Sequence, residues 1–185
     1  MNTCLENLAN VATIVLALFA VIGAFFAIAN LWVIRKKYRY DILVSITDQI
    51  NNREERRNRA AIHSAWSRSN WNGIDVGENI FSLFSEVWEA EKNKNQISEE
   101  KTELKDAIEE TVACLDKIGY FLMERDKALQ KETPIQIWSI ANDMWNKLGT
   151  FVEKRHGDRG EVWGLYFQKL GQEAGHKMIE WKSKK

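Results

Sequence analysis

The sequence predicts an all-α protein, with one N-terminal transmembrane helix followed by a cytoplasmic bundle of about four to five helices. The first observation behind this prediction is an apolar run without a charged residue, residues 11–34. The second is that apolar residues recur at intervals of three and four along the rest of the chain, the period of a helix. The third is that 185 residues with one Pro leave long stretches without a helix breaker. No stretch alternates between apolar and polar residues, so no β-sheet is expected.

The N-terminal region is expected to form a short tail outside the cytoplasm, residues 1–10, and an uncleaved transmembrane helix, residues 11–34. This helix has 24 residues, whereas about 20 are needed to cross a bilayer core of about 30 Å. Cleavage of a signal sequence after the AIA triplet at residues 27–29 is the alternative. The tail contains no Lys or Arg, unlike a secretory signal, so the uncleaved helix is preferred.

A basic segment, RKKYR, follows the transmembrane helix directly. Under the positive-inside rule it predicts a single-pass protein of the inner (plasma) membrane, with the N-terminus outside and the C-terminal domain in the cytoplasm. Basic residues bind anionic lipid headgroups, and Trp and Tyr prefer the headgroup layer. The residues predicted at the membrane surface are Arg35, Lys36, Lys37, Arg39, Trp32 and Tyr38. Small side chains around Gly23 would also allow two copies of the helix to pack as a homodimer.

Residues 35–70 are predicted to form a basic juxtamembrane helical segment that can extend the membrane helix. Asn51 and Asn52 interrupt its apolar pattern and predict a turn, after which a second helical segment is expected. A loop is predicted over Ser69–Gly77, because SNWNGIDVG is rich in Ser, Asn and Gly.

Residues 71–181 are predicted to form a helical domain, followed by a basic tail, residues 182–185. Asp75 is expected to cap the first helix of the domain, and Ser98 the second. The second helix has the most regular apolar spacing, at Leu104, Ile108, Val112, Leu115, Ile118 and Leu122.

The C-terminal part of the domain contains two further predicted helices. Pro134 suits the first turn of a helix, and HGDRG at residues 156–160 is expected to end that helix. Arg155 is interpreted as complementing the helix dipole at this end. A final helix is predicted over residues 161–181.

The charge is balanced but unevenly distributed. The chain has 26 basic and 26 acidic residues; residues 35–70 hold nine basic and four acidic residues, a net of +5, whereas residues 71–110 hold four and eleven, a net of −7. A general nucleic-acid-binding protein needs a dominant basic face, so a nucleic-acid partner is not favoured. The two opposite blocks are instead able to face each other.

The two cysteines, Cys4 and Cys114, are expected on opposite sides of the membrane. This separation indicates neither a disulfide nor a thiolate metal site. Cys114 is interpreted as a small core residue.

The second half of the domain reads CLDKIGYFLMERDKALQKETPIQIWSIANDMWNKLGTFVEKRHGDRGEVWGLYFQKLGQEA. It resembles the C-terminal pattern of the bacterial family catalogued as domain of unknown function 4760. In that pattern a helix ends in a Gly-containing turn, a Trp-bearing helix leads to a basic residue, and an aromatic-rich helix closes the domain. The matching positions are Leu115, Gly119, Leu122, Trp145, Leu148, Arg155, Phe167 and Leu170. The resemblance implies a helical, often membrane-anchored bacterial protein, and implies no particular reaction.

Few residues suggest chemistry. The three His residues lack the spacing of a metal site, and no metal or cofactor is expected. Arg57 and His63 resemble the Arg-x4-6-His element of the higher-eukaryote-and-prokaryote nucleotide-binding ribonucleases, which implies that the Arg holds a phosphate and the His acts as general acid or base. The alternative is a solvated basic face beside anionic lipid. The acidic stretch over residues 99–110 is likewise interpreted as a solvated helix face.

The function expected from these features is a membrane-anchored, non-enzymatic helical module that docks another cytoplasmic protein. The alternative is a membrane-tethered ribonuclease that uses Arg57 and His63 in a stress or phage response.

Overall fold

A computed structural model describes residues 2–68, 76–93, 98–159 and 163–184. Within these ranges the chain forms helices and turns and no strand, which confirms the all-α prediction. The helices are α1 (Asn2–Asn51), α2 (Arg53–Arg68), α3 (Val76–Asn93), α4 (Glu99–Gly119), α5 (Leu129–Glu132), α6 (Ile135–Arg159) and α7 (Leu165–Ser183). A π-helical turn, Tyr120–Arg125, follows α4 directly.

The chain divides into two compact units, Met1–Ile42 and Leu43–Lys185. The second unit contains a shared apolar core, in which α4 and α6 pack against α7 and α2 packs against α4. Its largest fully buried side chains are Phe151, Phe167, Ile50, Ile80, Ile108, Leu115, Ile118, Leu122, Leu129, Ile137, Met144 and Leu148. The predicted domain boundaries stay predictions.

The turn predicted at Asn51 and Asn52 separates α1 from α2. The side-chain oxygen of Asn52 accepts a hydrogen bond from the backbone N–H of Glu55 at 2.7 Å. Asn is a favoured N-cap because its side chain satisfies an N–H group that has no partner within the helix. Glu54 and Glu55 lie in the first turn, where a negative charge suits the helix dipole.

Helix α3 begins at Val76, so the last two residues of the predicted loop Ser69–Gly77 are already helical. Residues 69–75, which include the expected cap Asp75, lie outside the described residues.

Helix α4 begins and is buried as the sequence predicts. The hydroxyl of Ser98 accepts a hydrogen bond from the backbone N–H of Lys101 at 3.3 Å and caps the helix. The apolar positions from Ile108 to Leu122 lie in the core. Spacing of three and four residues is what places them on one face.

Helix α6 extends to Arg159, so the predicted break at residues 156–160 is wrong over most of its length. The helix includes Gly157, whose cost inside a helix is only about 1 kcal/mol relative to Ala. Arg155 therefore lies within the helix and does not cap its end. Its guanidinium stacks on Trp163 at 4.1 Å from the ring centroid and lies 3.9 Å from a carboxylate oxygen of Glu109.

Helix α7 begins at Leu165 and depends on a distant residue for its cap. Gly164 precedes it with φ of 73°, a left-handed conformation that favours glycine, and provides no side-chain cap. The carboxylate of Asp116, in α4, accepts hydrogen bonds from the backbone N–H groups of Tyr166 at 2.8 Å and Phe167 at 3.0 Å. This contact fixes the start of α7 against α4.

Helices α6 and α7 approach closely where Trp145 faces Gly171. A Cβ atom on Gly171 would lie 2.3 Å from the Cγ atom of Trp145, so only glycine fits there. The indole also meets the ring of Phe167 edge-on, with centroids 5.3 Å apart. The high Trp content thus contributes to helix packing, as the composition predicts.

Candidate functional site

The first candidate is the apolar surface of α1, named here the apolar span and comprising residues 13–34. Its large apolar side chains from Ile14 to Ile34 are each 43–71% exposed. The helix is long and apolar enough to cross a membrane. Open space surrounds Gly23, and a homodimer through this face stays a prediction.

The apolar span ends in the residues predicted at the membrane surface, named here the basic collar: Arg35, Lys36, Lys37 and Arg39. The first three side chains are exposed and Arg39 is half-buried. The Lys36 ammonium lies 5.5 Å from the ring centroid of Trp32, within the range of a cation–π interaction. Trp32 and Tyr38 are themselves exposed. A ring of cations and amphipathic aromatics next to an apolar helix surface suits the headgroup layer.

The structure does not bring Arg57 and His63 together. Six residues along a helix correspond to about 9 Å of rise and a rotation of about 120° between the two side chains. Arg57 is directed to α4, with a guanidinium nitrogen 3.6 Å from a carboxylate oxygen of Glu103. The Nε2 atom of His63 lies 2.9 Å from a carboxylate oxygen of Asp143, in α6. The two side chains are 78% and 49% exposed, and their joint role in a nuclease stays a prediction.

A buried polar cluster connects α2 to α4 and was missed by the sequence analysis. It is named here the Glu55 cluster and consists of Glu55, Arg59 and Cys114. Glu55 is only 8% exposed; its buried Oε2 atom lies 3.9 Å from an Arg59 guanidinium nitrogen and has no hydrogen-bond partner among the described residues, and the buried Cys114 lines the same cavity as Glu55. The i, i+4 spacing of Glu55 and Arg59 could have suggested their pairing. Nothing local marks Cys114 as the third member.

Burial shifts the proton affinities in the Glu55 cluster. It raises the pKa of Glu55, against the opposing effects of the Cys114 thiol and the Arg59 charge. It lowers the pKa of Arg59. Burial, together with the charge of Glu55, raises the pKa of Cys114 to about 12. The thiol is therefore protonated at neutral pH, and Cys114 is a buried core residue, as the sequence predicts.

An open cavity of about 330 Å³ adjoins the Glu55 cluster, and Glu54, Glu110 and Lys117 also line it. Among the residues that the structure describes, no group of three or more His, Cys, Asp or Glu side chains is arranged to hold a metal ion.

The acidic residues of α4 are engaged by the basic segment. Besides the pair of Arg57 with Glu103, the side-chain amide of Asn58 donates a hydrogen bond to Glu110 at 2.6 Å. One ion pair and one hydrogen bond therefore connect the basic segment on α2 to acidic residues of α4.

A second exposed candidate surface lies at the π-helical turn. It is named here the aromatic surface and consists of Tyr120, Phe121, Arg125 and Tyr166. The ring of Tyr120, 42% exposed, meets Phe121 at 5.7 Å and Tyr166 at 5.2 Å between centroids. The guanidinium of Arg125 lies 5.4 Å from the Phe121 centroid. Short π-helical segments occur often at functional sites, and Tyr and Arg are enriched at protein interfaces.

Three comparisons with known proteins were made for the whole chain. No protein-family model, no curated protein and no solved structure matches it.

Proposed function

We propose that this chain is a single-pass protein of the inner (plasma) membrane whose helical unit, Leu43–Lys185, docks another protein in the cytoplasm and catalyses no reaction itself. The observation that carries the proposal is the uncovered apolar span. Soluble proteins rarely expose a contiguous apolar surface of more than a few hundred Å². The span needs an apolar solvent, and its length suits the hydrocarbon core of a bilayer.

The energetic argument for membrane insertion is strong. Moving one large apolar side chain out of water contributes roughly 1.5–3 kcal/mol. The span presents more than ten such side chains, so insertion contributes on the order of 20 kcal/mol or more. Backbone N–H and C=O groups add no penalty, because an α-helix satisfies them internally.

The basic collar supports the proposed orientation. Positive charge next to a transmembrane helix is retained on the cytoplasmic side. The N-terminal tail has no Lys or Arg to compete with the collar. The C-terminal unit is therefore proposed to lie in the cytoplasm and the tail outside.

Alkaline carbonate extraction of membranes tests the anchor. The full chain should stay in the membrane pellet, because carbonate releases peripheral proteins and leaves membrane-spanning helices in place. A variant with Ile22→Arg and Phe26→Arg should lose this retention, since a charge at the bilayer centre costs about 2.5–3.5 kcal/mol. The matched control, Glu99→Arg with Asp106→Arg on the exposed side of α4, should be retained. Release of the wild type would refute the anchor.

The aromatic surface supports the docking role. Hot spots at protein interfaces are enriched in Tyr and Arg, and the best of them contribute 2 kcal/mol or more when truncated, roughly a 30-fold change in affinity. Tyr120 and Arg125 are of these residue types; Tyr120 contacts Tyr166 on the neighbouring helix, and Arg125 lies over the ring of Phe121. We assign the docking contact to this surface.

In-cell crosslinking tests the docking contact. A photoreactive residue at position 120 should form a discrete adduct with a cytoplasmic protein, and Arg125→Glu should remove that adduct. Glu99 provides the control position, because it lies at the opposite end of α4, about 30 Å away along the helix axis. Adducts of equal yield at both positions, or adducts with lipid alone, would contradict a docking role.

A ribonuclease is the alternative function, and one observation favours it. The 2.9 Å contact of His63 with Asp143 is the kind of His–carboxylate pair that orients a general base. The other proposed group, Arg57, is directed to Glu103 instead. Incubation of the detergent-solubilised full chain with total RNA decides the question. Equal cleavage by the wild type, His63→Ala and Arg57→Ala would remove the proposed site.

A further inference from the structure

We propose that the C-terminal end of α7, residues 177–184, makes a second contact with the membrane by binding anionic lipid headgroups. This inference rests on the proposed function, because it requires the anchor to hold the chain at a bilayer. The segment is named here the α7 end.

The α7 end is exposed over its last six described residues, whereas Lys177 and Met178 are half-buried. Each residue from Ile179 to Lys184 is exposed, whereas Phe167, Leu170 and Ala174 earlier in the helix are fully buried. The final turns therefore extend past the core. The predicted basic tail is accordingly helical as far as Ser183.

The composition of the α7 end suits a lipid headgroup layer. Ile179 is 68% exposed and Trp181 is 38% exposed, and both are among the few large apolar side chains exposed in the second unit's described residues. Trp is favoured where an apolar ring meets a polar headgroup. Ile adds apolar area that can enter the boundary between headgroups and acyl chains.

The charge of the α7 end is complementary to an anionic surface. Lys177, Lys182 and Lys184 stand against one acidic residue, Glu180, which gives a net charge of +2. A cavity of about 350 Å³ at the base of the segment is lined by Lys131, Lys177, Lys184 and Glu180, together with Trp138 and Trp181. The Lys177 ammonium also pairs with Glu173 at 3.3 Å. The excess of lysines over acidic residues in this lining, next to two tryptophans, suits a phosphate with its apolar substituent.

Attachment to the bilayer makes such a contact effective. The α7 end alone has too little apolar area and charge for tight binding to a vesicle. A chain that is already anchored presents it at a high effective concentration, so a weak contact is populated. The lipid surface is therefore favoured over a protein partner, which would have to be recruited from solution.

Hydrogen exchange of the reconstituted full chain tests the proposal. The protein is placed in nanodiscs of phosphatidylcholine alone or with 30% phosphatidylglycerol, chosen as about the anionic content that attracts basic segments. Backbone amides of the α7 end should exchange about ten-fold more slowly in the anionic nanodiscs. The effect should vanish at 1 M salt, where the screening length is about 3 Å.

Charge-reversal variants distinguish the contact of the α7 end with lipid from a general electrostatic attraction between the protein and the anionic surface. Lys182→Glu with Lys184→Glu should abolish the slow exchange in anionic nanodiscs. Lys117→Glu with Lys127→Glu changes the net charge by the same amount at other exposed lysines and should leave it intact. Ile179→Gln should reduce the slowing of exchange at the α7 end without changing the exchange of amides in the α4 core.

The outcomes distinguish failure of this inference from failure of the anchor. A protein that does not enter nanodiscs, or is released by carbonate, refutes the anchor. A protein that enters both nanodiscs but shows equal exchange of the α7 end in each refutes the second contact. Slow exchange in both compositions would identify a protein contact, including one between two copies of the chain, and would also overturn the proposal, as would equal effects of the two charge reversals.

Discussion

Cys114 shows how burial and one neighbour set the chemistry of a single residue. Its thiol is buried near Glu55, and burial together with that carboxylate raises its pKa to about 12. Because the thiolate is the nucleophile, the reactive fraction at neutral pH falls by about a thousand-fold relative to the ordinary thiol pKa of 9.0. The residue is therefore a buried core residue and not a reactive thiol.

We expect alkylation of Cys114 to report unfolding. In a Cys4→Ser variant, iodoacetamide should modify Cys114 at least ~100-fold more slowly in the folded protein than in urea. Mass spectrometry of the quenched reaction measures the rate. Modification at the rate of a free thiol under native conditions would show that the Glu55 cluster opens readily.

Glu55 makes stability depend on pH in a direction opposite to that of most carboxylates. Its pKa is raised, so the folded state holds the proton more tightly than the unfolded state. The stability that this provides is present below the ordinary carboxyl pKa and is lost as the pH rises through the folded-state pKa. Glu55→Gln removes this pH dependence. Any other change that it makes to the free energy of unfolding is the same at every pH.

Urea denaturation in detergent from pH 4 to pH 8 measures this effect. The difference in unfolding free energy between Glu55→Gln and the wild type should shift in favour of the variant as the pH rises. Glu54→Gln, at the exposed neighbouring position, should follow the wild-type curve. Parallel curves for all three proteins would show that Glu55 has the same proton affinity in both states.

At the scale of single residues, the sequence predicted contacts between residues that are close along the chain and did not predict contacts between distant residues. Ser98 caps α4 as its position predicts, and Asn52 lies at the predicted turn, because a cap acts on residues two or three positions away. Asp116 caps α7 across 50 residues of sequence. Its role depends on where two helices meet, which helical spacing alone does not determine.

Among the elements, the contact between α6 and α7 depends most sharply on one small residue. Gly171→Ala would place a methyl group 2.3 Å from the Trp145 ring. The indole cannot yield easily, because Phe167 lies against it at 5.3 Å between centroids. We expect a loss of about 1–3 kcal/mol in unfolding free energy from this overpacking, measured by urea denaturation.

Gly175 provides the matched control in the same helix. A Cβ atom there would lie 3.6 Å from the side-chain oxygen of Asn142, an ordinary contact. Gly175→Ala should therefore stabilise the protein by about 0.4–1 kcal/mol, because Ala favours the helix and reduces the entropy of the unfolded chain. Destabilisation by both variants to the same degree would contradict the assigned role of Trp145.

Some helices end where tertiary contacts place the boundary and not where the local sequence predicts it. HGDRG has the composition of a break, yet α6 passes through Gly157, and Arg155 before it is held by Trp163 and Glu109. The spacing of apolar residues did not predict the π-helical turn after Gly119. The Gln130 side chain donates a hydrogen bond to the Leu122 carbonyl within this turn at 3.0 Å, a contact that requires the folded chain.

The whole molecule combines a helix whose apolar side chains are exposed with a domain that contains several ion pairs. The uneven charge distribution predicted that basic and acidic blocks could meet, and one such contact, between Arg57 and Glu103, is present at 3.6 Å. The apolar span was also predicted from the sequence, because a long apolar run without a charged residue is typical of a transmembrane helix. The proposed orientation in a membrane is argued from the positive charge of the collar, so exchange of charge tests it directly.

Exchange of charge across the apolar span should invert the protein. The change replaces Arg35, Lys36, Lys37 and Arg39 with Gln and introduces Lys at positions 6, 7 and 10, because positively charged flanks remain in the cytoplasm. Fusions after Lys185 to a fluorescent protein that folds in the cytoplasm, and to a phosphatase that is active outside it, report the side on which the C-terminus lies.

The wild-type chain should give fluorescence without phosphatase activity, and the exchanged chain should give the reverse. Conservative replacement of Arg35 and Arg39 with Lys keeps the charge and should leave the wild-type pattern unchanged. If the wild-type fusion showed phosphatase activity, the C-terminal unit would lie outside the cytoplasm. The aromatic surface and the α7 end would then meet partners and lipids of the opposite side, and the cytoplasmic docking role would be refuted.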